Sequence, residues 1–113
     1  MATITKTGFV LNLKGKSGTI YVFTLYNGIP ELGKAGGLYI FTKADTNGNH
    51  TRIYLGRTGD LSVRFDDHHK AECIKKNGAT HFGVCLMSEE KERVNAEADL
   101  LAALNFTCNE VMN

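Results

Sequence analysis

The stretch from Arg52 to His69, RIYLGRTGDLSVRFDDHH, constrains the fold more than any other part of the chain. It opens with β-branched and aromatic residues that favour a strand, and a glycine then ends that strand. Thr58 or Asp60 can accept hydrogen bonds from the free backbone N–H groups that begin a helix. We therefore predict a strand, a tight turn and a helix that ends near Asn77 and Gly78, where glycine suits a C-terminal cap.

A second strand is predicted just before this stretch. Gly36–Thr42 is an apolar run behind two glycines, and Thr51–Leu55 is its return strand. Between them, the pair Asn47–Gly48 is a strong signal for a hairpin turn. This hairpin would bring Tyr39 and Tyr54 into one small sheet.

Residues 1–35 are predicted to form a β-hairpin ahead of a compact unit at 36–113. Its strand candidates are Thr7–Leu13 and Thr19–Tyr26, and Lys14–Gly18 supplies the turn residues. The hairpin could extend the sheet, cover its edge, or contact a partner protein or a second copy of the chain. The sequence leaves these alternatives open.

Three aromatic residues of the second hairpin strand, Tyr21, Phe23 and Tyr26, could form a stacking surface for nucleic-acid bases. Aromatic residues at this density are also common in strands that pack into a core. We favour the second interpretation and expect core packing.

A final helix is predicted after a third core strand at His81–Met87. Ser88 can cap this helix, and Glu97 falls within its apolar stripe. Burying an ionised carboxylate is costly unless a cation or several donors meet it, so Glu97 is the most informative acid in the chain. The alternative is a carboxylate at the edge of the stripe that reaches water. The residues that mark the stripe are Val94, Ala98, Leu101 and Leu104.

The predicted elements follow in the order hairpin, β, β, α, β, α. This order predicts an α+β fold with a small three-stranded, largely antiparallel sheet, flanking helices and the preceding hairpin. A length of 113 residues fits one compact domain with a single modest core.

The formal net charge of the chain is +1, from 13 basic and 12 acidic residues. This balance excludes a protein that coats DNA by bulk electrostatic attraction, and it leaves local or metal-assisted contacts open. No apolar run approaches the roughly 18 residues of a membrane helix, and the first residues lack the pattern of a signal peptide. We predict no membrane association and a cytoplasmic location.

The three cysteines, Cys73, Cys85 and Cys108, are odd in number and widely spaced. This pattern favours reduced cytosolic thiols over a disulfide framework. His81 lies four residues before Cys85, but the close cysteine pairs typical of structural zinc sites are missing. We expect buried free cysteines.

Several short motifs follow one another around the two strand tyrosines. The first is Gly37-Leu38-Tyr39, and the second is Tyr54-Leu55-Gly56. The pair Asp60-Leu61 then precedes Arg64, which lies ten residues after Tyr54. His68 follows four residues after that arginine.

The final helix adds Glu97, and Asn109 follows it twelve residues later. In this order and spacing, residues 37–109 resemble the GIY-YIG nucleases, whose two tyrosine motifs carry isoleucine where this chain has leucine. The family commonly has a proline where Phe106 stands here, so Asn105 is the alternative to Asn109. The N-terminal hairpin has no counterpart in the resemblance.

The resemblance implies a metal-dependent endonuclease that cuts DNA. The family's first tyrosine is thought to act as general base and its second to orient water or phosphate, and these roles fall to Tyr39 and Tyr54. Glu97 would bind one Mg²⁺ or Mn²⁺ through oxygen, and Arg64 would hold the scissile phosphate. Because an unperturbed tyrosine has a pKa of about 10, Tyr39 would need a cationic neighbour.

The remaining candidates have supporting roles. His68 would assist proton transfer or contact phosphate, and Asn109 would position backbone or phosphate. Gly56, Arg57 and Lys70 are candidates for substrate binding. The alternative function is a catalytically silent module on the same fold that binds nucleic acid or a partner protein, which the nearly neutral charge favours.

Overall fold

The computed structural model of the chain describes residues 5–63 and 69–109, so Arg64 and His68 lie outside the described residues. No helix in these two ranges is long and apolar enough to cross a membrane. The described residues form five strands and two helices: β1 (Thr5–Lys14), β2 (Ile20–Asn27), β3 (Gly37–Ala44), β4 (His50–Thr58), α1 (Ala71–Lys76), β5 (His81–Leu86) and α2 (Glu90–Ala103).

The strands form one antiparallel sheet in the order β1-β2-β5-β3-β4. This confirms the α+β class and the two hairpins, but the prediction of a three-stranded sheet is wrong. β2 pairs with β5, with Thr24 opposite Val84 and Tyr26 opposite Phe82. The N-terminal hairpin therefore extends the sheet, because β2 satisfies backbone groups that β5 would otherwise leave unpaired along that edge.

Alternation along the strands divides the core between the two faces of the sheet. On what we call the α1 face, Tyr39, Phe41, Tyr54 and Phe82 pack with Ile74 of the first helix. The opposite surface, the α2 face, is covered by the second helix. Its buried side chains include Phe23, Leu38, Ile40, Leu55, Ala96 and Leu100.

The aromatic residues of β2 are divided between these two cores. Phe23 is fully buried and Tyr21 packs beside it on the α2 face, whereas Tyr26 packs against the α1-face cluster. They therefore form no common stacking surface, and the expectation of core packing is confirmed.

The turn that follows β4 is fixed by hydrogen bonds around Asp60. The carboxylate of Asp60 accepts from the backbone N–H and the hydroxyl of Ser62. The backbone N–H of Leu61 donates to the carbonyl of Ala35 at 2.7 Å. The predicted helix start runs into residues 64–68, outside the described residues, and the described helix α1 begins at Ala71.

The other end of α1 agrees with the prediction. Its C-cap is Asn77, and Gly78 has a φ of +72°, a left-handed conformation that glycine adopts without steric cost. Gly48 in the β3–β4 turn has a φ of +83° for the same reason, as the Asn-Gly pair predicts.

Two details predicted for α2 are wrong. Its N-cap residue is Glu89, and the carbonyl of Ser88 instead accepts a hydrogen bond from Arg93. The buried residues are Ala96 and Leu100, while two members of the predicted stripe, Val94 and Leu101, are each 40% exposed. Alanine and leucine occur on several sides of this helix, so the apolar spacing did not identify the face that packs on the sheet.

The cysteine prediction is wrong for two of the three residues. Cys73 of α1 and Cys108 form a disulfide, with their Cα atoms 6.0 Å apart. The chain between them folds back, so a sequence separation of 35 residues gave no sign of the pairing. Cys85 is a free, partly buried thiol, and burial raises its pKa.

Candidate active site

The two motif tyrosines lie side by side on the α1 face. In the β3–β4 ladder Tyr39 is opposite Gly56, and Phe41 is opposite Tyr54. The centroids of the two tyrosine rings are 6.1 Å apart, and both residues are buried. Phe82 of β5 stacks on the other side of the Tyr39 ring, with the centroids 6.0 Å apart.

Gly56 allows the Tyr39 side chain to cross the neighbouring strand. A Cβ atom at position 56 would lie 2.5 Å from the Tyr39 hydroxyl oxygen and 2.9 Å from ring atom Cε1. Both distances are too short for non-bonded atoms. The glycine of the second motif is therefore the surface on which the first-motif tyrosine rests.

The environment of Tyr39 keeps its phenol protonated. Burial raises the pKa of Tyr39 far above its usual value, and the neighbouring Tyr54 and the negative charge of Glu97 raise it further. A hydrogen bond with Tyr54 acts in the same direction. All these causes act against the general-base role, which requires a lowered pKa.

Glu97 lies on α2, and its charge acts on Tyr39. Its side chain is 16% exposed and forms an ion pair with the guanidinium of Arg57, which is 45% exposed. Arg57 follows Gly56 and lies opposite Leu38, whose side chain is buried on the α2 face. Arg57 therefore supplies the positive charge that a largely buried carboxylate requires.

Contacts with the N-terminal hairpin hold α2 in place. The carboxylate of Asp99 accepts hydrogen bonds from the backbone N–H of Ser17 at 2.8 Å, from the Ser17 hydroxyl at 2.6 Å and from the Tyr21 hydroxyl at 2.8 Å. The Ser17 hydroxyl bond is the main cause that lowers the pKa of Asp99. Gly15 is needed beside this carboxylate, because a Cβ there would collide with it. We call these contacts the Asp99 clasp.

Asn109 lies next to the site and binds backbone. Its side-chain oxygen accepts from the Leu55 N–H at 2.8 Å, and its side-chain amide donates to the Leu55 carbonyl at 2.9 Å. Asn105, the alternative, lies near the other end of β4, where its carbonyl accepts from Arg52. Of the two asparagines, Asn109 is therefore the one that supports the strand residue immediately before Gly56.

His69 is a neighbour of the site that the motifs did not indicate. Its exposed ring meets Tyr54 edge-on, with the centroids 6.3 Å apart. The only signal in the sequence is its position beside His68 in the pair of histidines. Lys70, a predicted substrate-binding residue, follows it as the partly exposed N-cap residue of α1.

Of the predicted site residues, Glu97 is the one whose side chain is a ligand suited to a hard divalent cation. Within residues 5–63 and 69–109, no group of three or more histidine, cysteine, aspartate or glutamate side chains is arranged to hold a metal. Mg²⁺ is commonly bound through one or two carboxylates and several waters, so Glu97 alone meets the minimum. The same carboxylate now binds Arg57.

Of the predicted site residues, Tyr39, Tyr54 and Gly56 pack together on the α1 face, and Asn109 binds the strand residue before Gly56. Glu97 pairs with Arg57, and its charge acts on Tyr39. Comparison with protein-family models, curated proteins and solved structures found no match to this chain.

Proposed function

We propose that this chain is a metal-dependent endonuclease that hydrolyses DNA phosphodiester bonds. The observation that supports the proposal is the packing of Tyr39 against Tyr54 and Gly56, with Glu97 near enough for its charge to act on Tyr39. These residues come from two strands and a helix that begins more than 30 residues after the second strand ends. A resemblance to the GIY-YIG nucleases in sequence alone would not require them to be neighbours.

Phosphodiester hydrolysis needs an activated water, neutralisation of the negative charge on the phosphoryl oxygens and help for the leaving oxygen. A divalent cation, when bound, supplies positive charge at the phosphoryl oxygens and acidifies its coordinated water. Glu97 would hold that cation through a carboxylate oxygen. Arg57 can bind a phosphate oxygen through its planar guanidinium, and Arg64 is proposed for the same task.

Tyr39 and Tyr54 act as a hydrogen-bonded pair in this proposal. With its pKa raised, Tyr39 is a neutral phenol near neutral pH and can donate a hydrogen bond to substrate or water. The charge of Glu97 is one cause of that raised pKa. A cation bound at Glu97 would remove this cause, whereas burial, the largest cause, would still keep the pKa of Tyr39 raised.

The test is nicking of supercoiled plasmid by pure protein in the presence of Mg²⁺. Wild type should convert the plasmid to open circles, and Glu97→Gln should lose this activity while remaining folded. The matched control is Glu92→Gln, which removes an exposed carboxylate from the same helix and should leave nicking unchanged. Absence of nicking by wild type, or equal nicking by Glu97→Gln, would reject the proposal.

The second candidate function is a silent module that binds nucleic acid or a partner protein without cleavage. Two observations favour it: Arg57 occupies the carboxylate that a cation would need, and the pKa of Tyr39 is raised instead of lowered. Binding of a short DNA duplex without added metal, together with no nicking at any Mg²⁺ concentration, would support this function. Turnover dependent on Mg²⁺ would eliminate it.

DNA as the partner and a cytoplasmic location are further parts of the proposal. The structure contains a Cys73–Cys108 disulfide, and disulfides are more common in oxidising compartments than in the cytoplasm. The redox state of these two cysteines in cells therefore tests the location. Alkylation of free thiols in freshly lysed cells, followed by mass measurement of the protein, gives the result. Reduced Cys73 and Cys108 would support the cytoplasm, and an intact disulfide would argue against it.

We also propose that the N-terminal hairpin contacts a partner protein or a second copy of the chain. Phe9, Val10, Ile20 and Val22 are each about half exposed or more in β1 and β2. Measuring the molar mass of wild type and of Val22→Ser in solution tests it. A wild type that is monomeric at all concentrations would exclude the homodimer.

A further inference from the structure

Arg57 differs from the other described arginines in what its guanidinium binds. The guanidinium of Arg93 donates to the carbonyls of Met87 and Ser88, and Arg52 donates to the carbonyl of Asn105. These two arginines join backbone segments. Arg57 instead binds the Glu97 carboxylate.

The two members of this ion pair are unequally accessible. Glu97 is held in a mostly buried position by a helix whose neighbouring residues Ala96 and Leu100 are buried in the core. Arg57 is almost half exposed and has a long side chain. The carboxylate is therefore the fixed partner, and the guanidinium is the partner that can move into solvent.

We propose that Arg57 and a divalent cation compete for Glu97, and that a phosphodiester releases Glu97 to the cation by binding Arg57. This inference rests on the proposed function, since it concerns the same carboxylate. A guanidinium placed on the carboxylate satisfies its charge in the absence of metal, so the cation must displace it. A phosphodiester also offers the guanidinium two oxygens, which can accept the same pair of parallel hydrogen bonds as a carboxylate.

Arg57 and Glu97 lie on the same side of the sheet. Arg57 belongs to the edge strand β4, opposite Leu38, whose side chain is buried on the α2 face. Glu97 belongs to the helix that covers that face. A phosphate bound by Arg57 would therefore lie on the same side of the sheet as the vacated carboxylate.

Thermodynamic coupling between cation binding and phosphodiester binding determines the expected results. If Arg57 competes with the cation, its removal must tighten cation binding, by about two- to fivefold for a partly exposed ion pair. If a phosphodiester withdraws Arg57, it must also tighten cation binding to wild type, and the cation must tighten phosphodiester binding by the same factor. Both effects, on cation binding and on phosphodiester binding, should disappear when residue 57 carries no positive charge.

The experiment is titration of Mn²⁺ into the folded protein at low ionic strength, followed by water-proton relaxation, with and without dimethyl phosphate. Arg57→Gln should bind Mn²⁺ about two- to fivefold more tightly than wild type, and Glu97→Gln should lose the site. Arg52→Gln is the matched control, because it removes the same charge from the same strand and should bind like wild type. Dimethyl phosphate should tighten Mn²⁺ binding to wild type and have no effect on Arg57→Gln.

Arg57→Lys helps to distinguish competition for Glu97 from a loss of folding as the cause of a changed Mn²⁺ affinity. It keeps the charge without the planar fork, so its Mn²⁺ affinity should fall between those of wild type and Arg57→Gln. Thermal unfolding of each variant shows whether it is folded. The proposal is overturned if Arg57→Gln binds Mn²⁺ no more tightly than Arg52→Gln, if dimethyl phosphate acts equally on both, or if wild type binds no Mn²⁺.

These outcomes are independent of those for the nuclease activity. Tighter Mn²⁺ binding by Arg57→Gln with no plasmid nicking by wild type would keep the competition and reject the endonuclease. Nicking by wild type with unchanged Mn²⁺ affinity in Arg57→Gln would keep the endonuclease and reject the competition.

Discussion

Replacing Gly56 with alanine tests how Tyr39 is positioned. The added methyl group would start 2.5 Å from the Tyr39 hydroxyl oxygen, whereas ordinary contacts begin near 3.4 Å. The ring must therefore move by about 1 Å. It has little room, because the rings of Phe41, Phe82 and Tyr54 surround it with centroids 6.0 to 6.1 Å away.

Overpacking of a closed aromatic cluster costs about 1–3 kcal/mol of folding free energy. For a domain of this length, that cost corresponds to a decrease in Tm of about 4–12 °C. Gly56→Ala should show this decrease in a thermal melt, and it should also lose plasmid nicking because the phenol is displaced. Gly33→Ala is the matched control: no atom lies within 4 Å of its added Cβ, so its Tm should be unchanged.

A double-mutant cycle decides whether the Tyr39 ring is the cause. In a Tyr39→Leu background the Gly56→Ala change should cost at least about 1 kcal/mol less, since the ring atoms in its path are gone. A wild-type Tm for Gly56→Ala, or an equal cost in both backgrounds, would refute the steric argument.

Three further changes test the supports of the site. Asn109→Ala removes two hydrogen bonds to the backbone of β4 and should cost about 1–3 kcal/mol in urea unfolding, whereas Asn105→Ala should cost little. Serine at both Cys73 and Cys108 should lower stability by about 3–4 kcal/mol, because the bond closes a long loop; equal stability of oxidised wild type and this variant would contradict it. The lowered pKa of Asp99 stabilises the fold above its unfolded pKa of about 4, and this contribution disappears as pH falls through the folded pKa. The difference in Tm between wild type and Asp99→Asn should therefore shrink as pH is lowered below about 4, and a difference that is constant with pH would contradict the assignment.

Short-range patterns predicted the strands of this fold well. The Asn47–Gly48 turn and the strand runs on either side of it depend on local preferences, which act wherever the residues occur. The position of Tyr39 opposite Gly56 follows from the register of that hairpin.

Features that depend on tertiary packing were not predicted. The rotation of α2 is set by which side chains fit the sheet, and Ala96 fits there although Val94 is more apolar. The disulfide and the Asp99 clasp join residues 35 and 82 positions apart, and no local pattern marks either pair. The N-terminal hairpin was predicted as an element, but its pairing with β5 depends on a strand that comes much later in the chain.

The Asp99 clasp has a consequence for how far the chain can be shortened. Asp99 is two residues from Glu97, and its donors come from the turn and second strand of the first hairpin. A protein that started at residue 31 would retain every motif, yet its last helix would lose those donors and β5 would lose its outer neighbour. The first 30 residues supply none of the proposed chemistry, yet they hold the helix that carries Glu97 against the sheet.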